Sequence, residues 1–488
     1  MGVRTRMAPS PTGEYHIGSM RTMLYNYALA KKEGGQFILR IEDTDRERFV
    51  EGATERLMDV INAYGLNWDE GPRVGGPHAP YIQSERLETY KEYANQLVES
   101  GHAYYCFCSK ERLDTLREEQ RKAGMPSTKY DKYCLNLPKD KVKENLDAGL
   151  SYVIRLNVQA DQEISFDDKV LGHITFPSKD VDDQVLLKSD GFPTYHLGVV
   201  VDDHLMEVNW VMRGVEWLPS TPKHILLYKA FGWELPTYAH LPLLKEKGDT
   251  KKLSKRMGSV AAHEFLLDGY LPEALINFLM FLGWNPGTEK EIYSLDEFVK
   301  DFSVERIQKT DLVVFDRDKL AWYNGQYIRM LSAQDLWERL KKWMSEYDQQ
   351  PEYKMEDTYS IKVQSLVQDR MRVFADFLPL TNYFYIDFDC PVELLVAQSG
   401  SESRAKEILE TFYNLLKELS VENWHSKFLD ELCHRIISEK GYKPKESFMT
   451  LRVASTGQTA TPPIFDIIEL LGQEKTLSRI ENAKNLLK

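Results

Sequence analysis

Two stretches of this chain carry residue types suited to chemistry at phosphorus. The first, Arg6-Met-Ala-Pro-Ser10-Pro-Thr-Gly-Glu-Tyr-His16-Ile-Gly18-Ser19, sets an imidazole two residues before a glycine. Histidine can donate to a phosphoryl oxygen as charge develops in a displacement, and glycine lets a bulky ligand approach the backbone. The second, Lys252-Leu-Ser-Lys255-Arg256, follows the polar stretch Lys245-Glu-Lys-Gly-Asp-Thr-Lys251, which reads as a mobile loop. Lysines on such a loop can place charge on a leaving pyrophosphate only in the transition state. A third group has a different chemistry. Cys106-x-Cys108, a helical arm over 110–122 and Tyr130-x-x-x-Cys134 gather thiolates in one short excursion, as a closed tetrahedral Zn²⁺ site requires.

The elements that must position these groups follow from pattern. Val3, Thr5 and Met7 alternate as a first strand, and Pro9, Pro11 and Gly13 force a turn after it. Met20, Met23, Leu24 and Tyr27 share a helical face that Gly34-Gly35 stops, and Phe37 to Ile41 makes a second strand. In an open parallel sheet, ligands bind beyond the carboxyl ends of strands, so Arg6, Ser10, His16, Gly18 and Glu42 should share that edge. The helix N-terminus there suits phosphate. Helices are expected over 51–64 and 85–99, with turn-rich 69–77 on the nucleotide-facing rim. Strands follow at Tyr152 to Val158 and Ile164 to Phe166, and the parallel sheet resumes at about Val185.

Asp202-Asp203-His204 reads as strand, whose consecutive side chains face opposite ways, so no metal is assigned there. Leu271 to Gly283 is a helix with Pro early and Gly as stop. From Ser332 onward the pattern is helical, over 337–347, 361–377, 405–419, 428–440, 464–471 and 478–487. Isolated Cys390 and Cys433 read as packing residues.

At 488 residues, two to four domains are expected. The net charge of −13 means that a nucleic-acid partner must be held by local basic patches. No apolar run suggests a signal peptide or membrane span, and five cysteines argue against a disulfide framework, pointing to a cytoplasmic protein.

His16-Ile-Gly18-Ser19 and Lys252 to Arg256 resemble the "HIGH" and "KMSKS" elements of class I aminoacyl-tRNA synthetases. Ser19 replaces the final His, and Arg256 replaces the final Ser. Ala8 to Gly13, Arg40-Ile-Glu-Asp-Thr-Asp45, Tyr81-Ile-Gln-Ser-Glu-Arg86, Leu187 to Leu197 and Val201-Asp-Asp-His204 extend the resemblance to bacterial-type glutamyl-tRNA synthetases over nearly the whole chain. Leu451 to Gly457 also matches that pattern.

The resemblance implies an α/β fold plus an all-α half. A doubly wound, Rossmann-like catalytic domain (1–103 and 185–240) would carry an inserted acceptor-stem-binding domain (104–184). A connecting domain with the lysine loop (241–325) and helical anticodon-binding domains (326–488) would follow. It implies ATP binding at His16, Gly18, Ser19 and Lys255, with His16, Gly18, Lys252 and Lys255 catalytic. L-Glutamate would be held by Arg6, Ser10, Glu42, Tyr195 and Arg213. Arg6 or Arg213 on the side-chain carboxylate would explain glutamate rather than glutamine, and Glu42 suits the α-ammonium. Zinc in this resemblance takes Cys106, Cys108, Cys134 and, in some members, a tyrosine that maps to Tyr130. Other members use a His where this chain has Asn136, and others lack the site. Arg370 stands where discriminating members sense the third anticodon base.

The reading is a monomeric glutamyl-tRNA synthetase using ATP with Mg²⁺, L-glutamate and tRNA(Glu), with no membrane or DNA partner. The alternative is a non-discriminating form that also charges tRNA(Gln). A bare nucleotidylyltransferase or the truncated glutamyl-queuosine type shares both phosphate motifs but not the helical half. An inactive tRNA-binding scaffold would need lost catalytic residues, and none are lost.

Overall fold

β1 (Arg4–Met7) passes through the Pro-Ser-Pro-Thr-Gly turn into α1 (Ile17–Lys32) and returns as β2 (Gln36–Leu39), parallel to β1 with Arg4 opposite Gln36 and Met7 opposite Leu39. Gly35 makes that return possible, because a Cβ there would run into the Val3 carbonyl. α1 is buried almost all round. Ile17, Met20, Met23, Leu24 and Ala28 have no exposed surface, and the larger of these side chains contribute about 1.5–3 kcal/mol each. Its polar side chains are used as ties: Asn26 Nδ2 donates to Met212 O at 3.0 Å, and Tyr25 OH donates to the carbonyls of Met280 and Leu282.

The computed structural model describes residues 2–48, 50–125, 127–253 and 258–488. They form two units, Met1–Leu266 with Pro272–Leu320 and Leu267–Leu271 with Ala321–Lys488.

In the first unit, α2 (Ala53–Ala63) and α3 (Leu87–Glu99) follow β2. Next come β3 (Ala103–Cys106), α4 (Lys110–Lys122), α5 (Lys139–Asp147), β4 (Val153–Leu156), β5 (Glu163–Asp168), β6 (Gly172–Pro177) and β7 (Val185–Leu187). The chain continues through α6 (Tyr195–Leu205), β8 (Trp210–Gly214), α7 (Thr221–Phe231), β9 (Thr237–Leu241) and β10 (Leu243–Glu246). α8 (Ala262–Leu267), α9 (Pro272–Met280), α10 (Leu295–Asp301) and β11 (Leu312–Phe315) complete this stretch, and α11 (Arg317–Met330) begins in the first unit and continues in the second.

β8 and β9 are parallel, and the sheet order is β6-β5-β9-β8. Asn209, just before β8, donates its N–H to Arg4 O and accepts the Arg4 N–H on Oδ1 at 2.8 Å, which lays β1 beside β8.

Three expectations are corrected here. β7 does not resume the parallel sheet; it pairs antiparallel with β4 in the sheet β3-β4-β7. The segment around Ile164 to Phe166 is longer than its apolar core, and β5 joins β9 in parallel at Asp168 opposite Tyr238. Asp202, Asp203 and His204 lie in α6, not in a strand. Val199, Val200 and Val201 favour a strand by propensity, but burial of this helix from His196 to Asp203 overrides it.

The second unit is helical: α12 (Ala333–Glu346), α13 (Asp357–Val367), α14 (Phe377–Tyr385), α15 (Val392–Ser399), α16 (Glu402–Lys417), α17 (Ser426–Glu439), α18 (Pro444–Thr456), α19 (Ile464–Leu471) and α20 (Gln473–Asn485). The continuous helix expected over 361–377 is broken. α13 ends at Val367, a 3₁₀ turn spans Gln368–Arg370, and Asp376 Oδ2 accepts the Arg372 and Val373 N–H groups at 2.7 and 3.0 Å. Pro379 explains the break, since its ring would clash with the Ala375 carbonyl in a running helix but is tolerated in a first turn. Trp322 to Gly325 lies inside α11. On α17, Cys433 is buried in the core, and His434 faces out toward Asp430 at 3.4 Å.

Candidate active site

A cavity of about 1250 Å³ opens where β1 and β8 end, and Arg6, Ser10, His16, Gly18, Ser19, Glu42, Tyr195, Arg213 and Lys252 all line it. His16 is the N-cap of α1, and its Nδ1 accepts the Gly18 N–H at 2.9 Å. In the neutral ring this puts the proton on Nε2. A Cβ on residue 18 would stand 3.1 Å from Nδ1, so glycine makes room for the imidazole itself. The first amides of α1 are already engaged, Ile17 N–H with Val260 O at 2.8 Å and Gly18 N–H with the ring. Histidine, rather than a set of open amides, is therefore the donor this turn presents. Ala262 N–H also bonds Tyr15 O at 2.7 Å, so the segment beyond the lysine motif is laced to the His16 turn.

Beneath the floor lies a buried ion cluster. Asp203 takes Arg6 Nε at 3.2 Å and Arg40 NH1 at 2.8 Å, and Arg40 NH2 reaches Glu42 Oε1 at 3.1 Å. Asp202, the next residue of α6, takes Gln83 Nε2, Arg86 Nε and Tyr90 OH, each at 2.8 Å. Burial pushes the Asp203 carboxyl up, but Arg6 and Arg40 more than reverse this, and it is held below its usual range. Glu42 behaves in the opposite way: burial outweighs Arg40 and Arg6, and its carboxyl is pushed up to about 7.

Arg213, on β8, is buried among neutral partners. Its Nε donates to His240 Nε2 at 3.2 Å, NH1 to Tyr195 OH at 3.1 Å and to His224 Nδ1 at 3.2 Å, and NH2 to Thr221 Oγ1 at 2.8 Å. Burial drives the histidines neutral, with His196 behind His224 pushed down to about 3. Among the described residues no carboxylate pairs with Arg213. This separates the two candidate arginines: Arg6 is paired with Asp203, whereas Arg213 is a buried cation that lines the cavity on neutral partners alone.

These features agree with the comparisons. Residues 2–322 match the catalytic domain of tRNA synthetases class I (E and Q), and residues 335–484 an anticodon binding domain. The chain is 44% identical over 494 residues to a glutamate-tRNA ligase of Alkaliphilus metalliredigens, covering 99% of each, and 43% identical to one of Clostridioides difficile at the same coverage. The chain belongs to the glutamate-tRNA ligases. A crystal structure of a glutamate tRNA ligase from Elizabethkingia meningosepticum in complex with its amino acid superposes with a TM-score of 0.89 at 35% identity, covering all of both chains.

In this ligase the lysine motif is only partly described, and Lys255 and Arg256 lie outside the described residues. Lys252 bridges back to Lys245 of β10, and Asp249 caps the turn between them by accepting the Thr250 and Lys251 N–H groups. Lys252 Nζ pairs with Glu216 Oε1 at 3.0 Å.

The cysteines converge as well. The sulfurs of Cys106, Cys108 and Cys134 lie within 4.8 Å of one another, and Tyr130 OH is 3.4 Å from Cys106 Sγ and 3.2 Å from Cys108 Sγ. Three soft donors and a phenol oxygen at tetrahedral-edge spacing fit Zn²⁺. Asn136 is exposed and turned to Lys132 O at 3.2 Å, away from the thiols. Hydrogen bonding from Cys134 and then Tyr130 pulls the Cys106 thiol down, which favours the thiolate that a metal requires.

Arg370 is exposed in its 3₁₀ turn. Arg370 and half-buried Arg452 on α18 are close enough that each acts on Tyr383, and burial, with the Arg370 charge after it, holds Arg452 below the usual arginine range.

Sequence reasoning missed Arg40 and Asp203 as a unit because it placed Asp203 in a strand. It also missed His240, His224, Thr221 and Asp168. The available signal was His240 itself, a polar residue within the run Tyr238-Ala-His-Leu-Pro-Leu-Leu244.

Proposed function

We propose that this pocket activates L-glutamate with ATP and transfers it to the terminal ribose of tRNA(Glu), with Arg213 holding the side-chain carboxylate of glutamate. The observation that carries this reading is the buried Arg213 fork with four neutral acceptors behind it and no anion before it. An unpaired buried cation is costly, and a carboxylate accepting the one N–H of NH2 that has no protein acceptor removes that cost, whereas the neutral amide of glutamine does not. Tyr195 OH, itself bonded to Arg213, flanks that carboxylate. Glu42 takes the α-ammonium, Ser10 lies at the cavity edge for the substrate backbone, and Arg6 with Asp203 keeps the floor charged and rigid.

One oxygen of the α-carboxylate attacks the α-phosphorus of ATP, the bond to the β-phosphate oxygen breaks, and pyrophosphate leaves. The ribose hydroxyl of tRNA then attacks the acyl carbon, and AMP leaves. His16 donates from Nε2 to the phosphoryl oxygens, Gly18 and Ser19 leave space for the nucleotide, and Lys252 and Lys255 neutralise the departing pyrophosphate. Mg²⁺ accompanies ATP. The protein supplies position and charge rather than a covalent nucleophile. The working form is a cytoplasmic monomer, and the cysteine cluster holds a structural Zn²⁺. No helix among the described residues is long and apolar enough to cross a membrane.

In the helical unit, Arg370 beside Arg452 presents two cations where an anticodon can be read, and Arg370 filters its third base. The test is aminoacylation of glutamate and glutamine tRNAs with each amino acid, and pyrophosphate exchange with each tRNA omitted in turn. Glutamate on its own tRNA alone supports the discriminating enzyme and the Arg370 filter. Glutamate on both keeps the chemistry and overturns the filter, and charging of neither overturns the ligase reading.

A further inference from the structure

Arg213 is aimed from behind. Its Nε donates to His240 Nε2, and the other ring nitrogen lies 2.6 Å from Asp168 Oδ2. A guanidinium offers no lone pair, so Nε2 must be the acceptor and Nδ1 must carry the proton given to Asp168. Asp168 is fixed in turn, because its Oδ1 accepts the N–H groups of Val170 and Leu171 at 2.9 Å and of His240 at 3.3 Å. Neither the His240 nor the Asp168 side chain has any exposed surface, and neither lines the cavity. Five hydrogen bonds thus set the tautomer of a ring whose outward nitrogen faces a pocket cation that pairs with no carboxylate among the described residues.

We propose that Asp168 and His240 are positioning residues for glutamate recognition, holding Arg213 so that its remaining NH2 N–H and its charge meet the side-chain carboxylate. The inference rests on the assignment of Arg213 to that carboxylate. Asp168 ends β5, within the inserted segment, and provides the single ladder contact of that strand with β9. The insertion therefore reaches to within two hydrogen bonds of the amino-acid pocket.

Asp168→Asn is the informative substitution. Oδ1 must keep accepting three backbone N–H groups, so the new amide nitrogen takes the Oδ2 position and donates to the ring. His240 must then carry its proton on Nε2, where it meets the Arg213 N–H donor to donor. The KM for glutamate should rise about tenfold or more, because a misaligned fork leaves a buried polar group unmatched. The KM for ATP should stay within about twofold, since His240 and Asp168 touch no residue of the His16 turn, and discrimination against glutamine should fall.

Arg213→Lys is measured alongside. If it raises the glutamate KM while D168N does not, the pair only packs and the positioning role is overturned. If Arg213→Lys leaves the glutamate KM unchanged, the assignment of Arg213 fails first. Should D168N lose folding, ¹⁵N chemical shifts of labelled His240 in the unaltered protein decide. A protonated Nδ1 with a bare Nε2 supports the proposal, and the reverse overturns it.

Discussion

Lys252 Nζ and Glu216 Oε1 stand 3.0 Å apart, and both line the cavity at the ends of β1 and β8. The pair is half-exposed and is worth at most about 1 kcal/mol to folding. Its effect lies instead in what Lys252 must give up when a triphosphate arrives. Glu216→Gln removes a competitor for the lysine and a repulsive charge beside the phosphates. It should lower the KM for ATP several-fold and leave the melting temperature unchanged, as steady-state kinetics at saturating glutamate would show. A raised KM would mean that Glu216 itself contacts the nucleotide.

Glu42 gives a pH dependence with a defined sign. Burial raises its pKa to about 7, so below neutrality the free enzyme holds Glu42 protonated and cannot offer a carboxylate to the α-ammonium. The KM for glutamate should rise as pH falls below 7, approaching about tenfold per pH unit, while the KM for ATP does not follow it. For folding the sign is reversed. The folded pKa lies above the ordinary value of 4.5, so the stabilising contribution is complete below about 4.5 and is lost as pH rises through 7. Glu42→Gln should abolish the pH dependence of glutamate affinity and lower that affinity at pH 8. Measured pH profiles of KM that stay parallel in the two proteins would refute the role.

The convergence of these residues on one cavity was legible in the sequence because those that line it sit at strand ends and in turns, where proline, glycine and histidine spacing is informative. The strand, turn, helix and strand from Arg4 to Leu39 and the α4 arm over Lys110–Lys122 follow directly from local pattern. The support behind the site was not legible. Asp168, His240 and Arg213 meet only because β5 and β8 both flank β9, a relation of long range in sequence that no periodicity encodes. Asp202 and Asp203 were misread for a related reason. Three valines argue locally for a strand, and only the buried arginines and Gln83 around α6 explain two adjacent aspartates on a helix.

Asp202 is itself a stability test. It has no exposed surface, does not line the pocket, and holds Arg86, Gln83 and Tyr90 together with Arg40 Nε at 3.6 Å. Asp202→Ala leaves the buried Arg86 guanidinium without its carboxylate, while Arg40 keeps Asp203 and Glu42, and should cost about 3–5 kcal/mol. Denaturant midpoints followed by far-ultraviolet dichroism would measure it. The surviving folded fraction at low temperature should bind glutamate and ATP normally. A loss under about 1 kcal/mol would show that water replaces the carboxylate and that the cluster is not dry.

The cysteine cluster carries the last prediction. Cys106, Cys108 and Cys134 converge with Tyr130 OH in a small core that has few other apolar partners, so metal binding and local folding should be coupled there. The purified protein should contain about one zinc per chain, by the donor set. Tyr130→Phe keeps the ring, which stacks on Tyr104 and lies under Arg155, but removes the oxygen. Its zinc affinity should fall by more than the apo protein loses in stability, which is about 1 kcal/mol for the Cys134 N–H bond that the phenol oxygen accepts at 3.0 Å. Asn136→Ala should alter neither, because that side chain turns away from the thiols. Competition with a chromophoric chelator separates the outcomes: equal zinc affinity in the native and Tyr130→Phe proteins would remove the phenol from the ligand set. Weakened binding in Asn136→Ala would move the fourth ligand to that position.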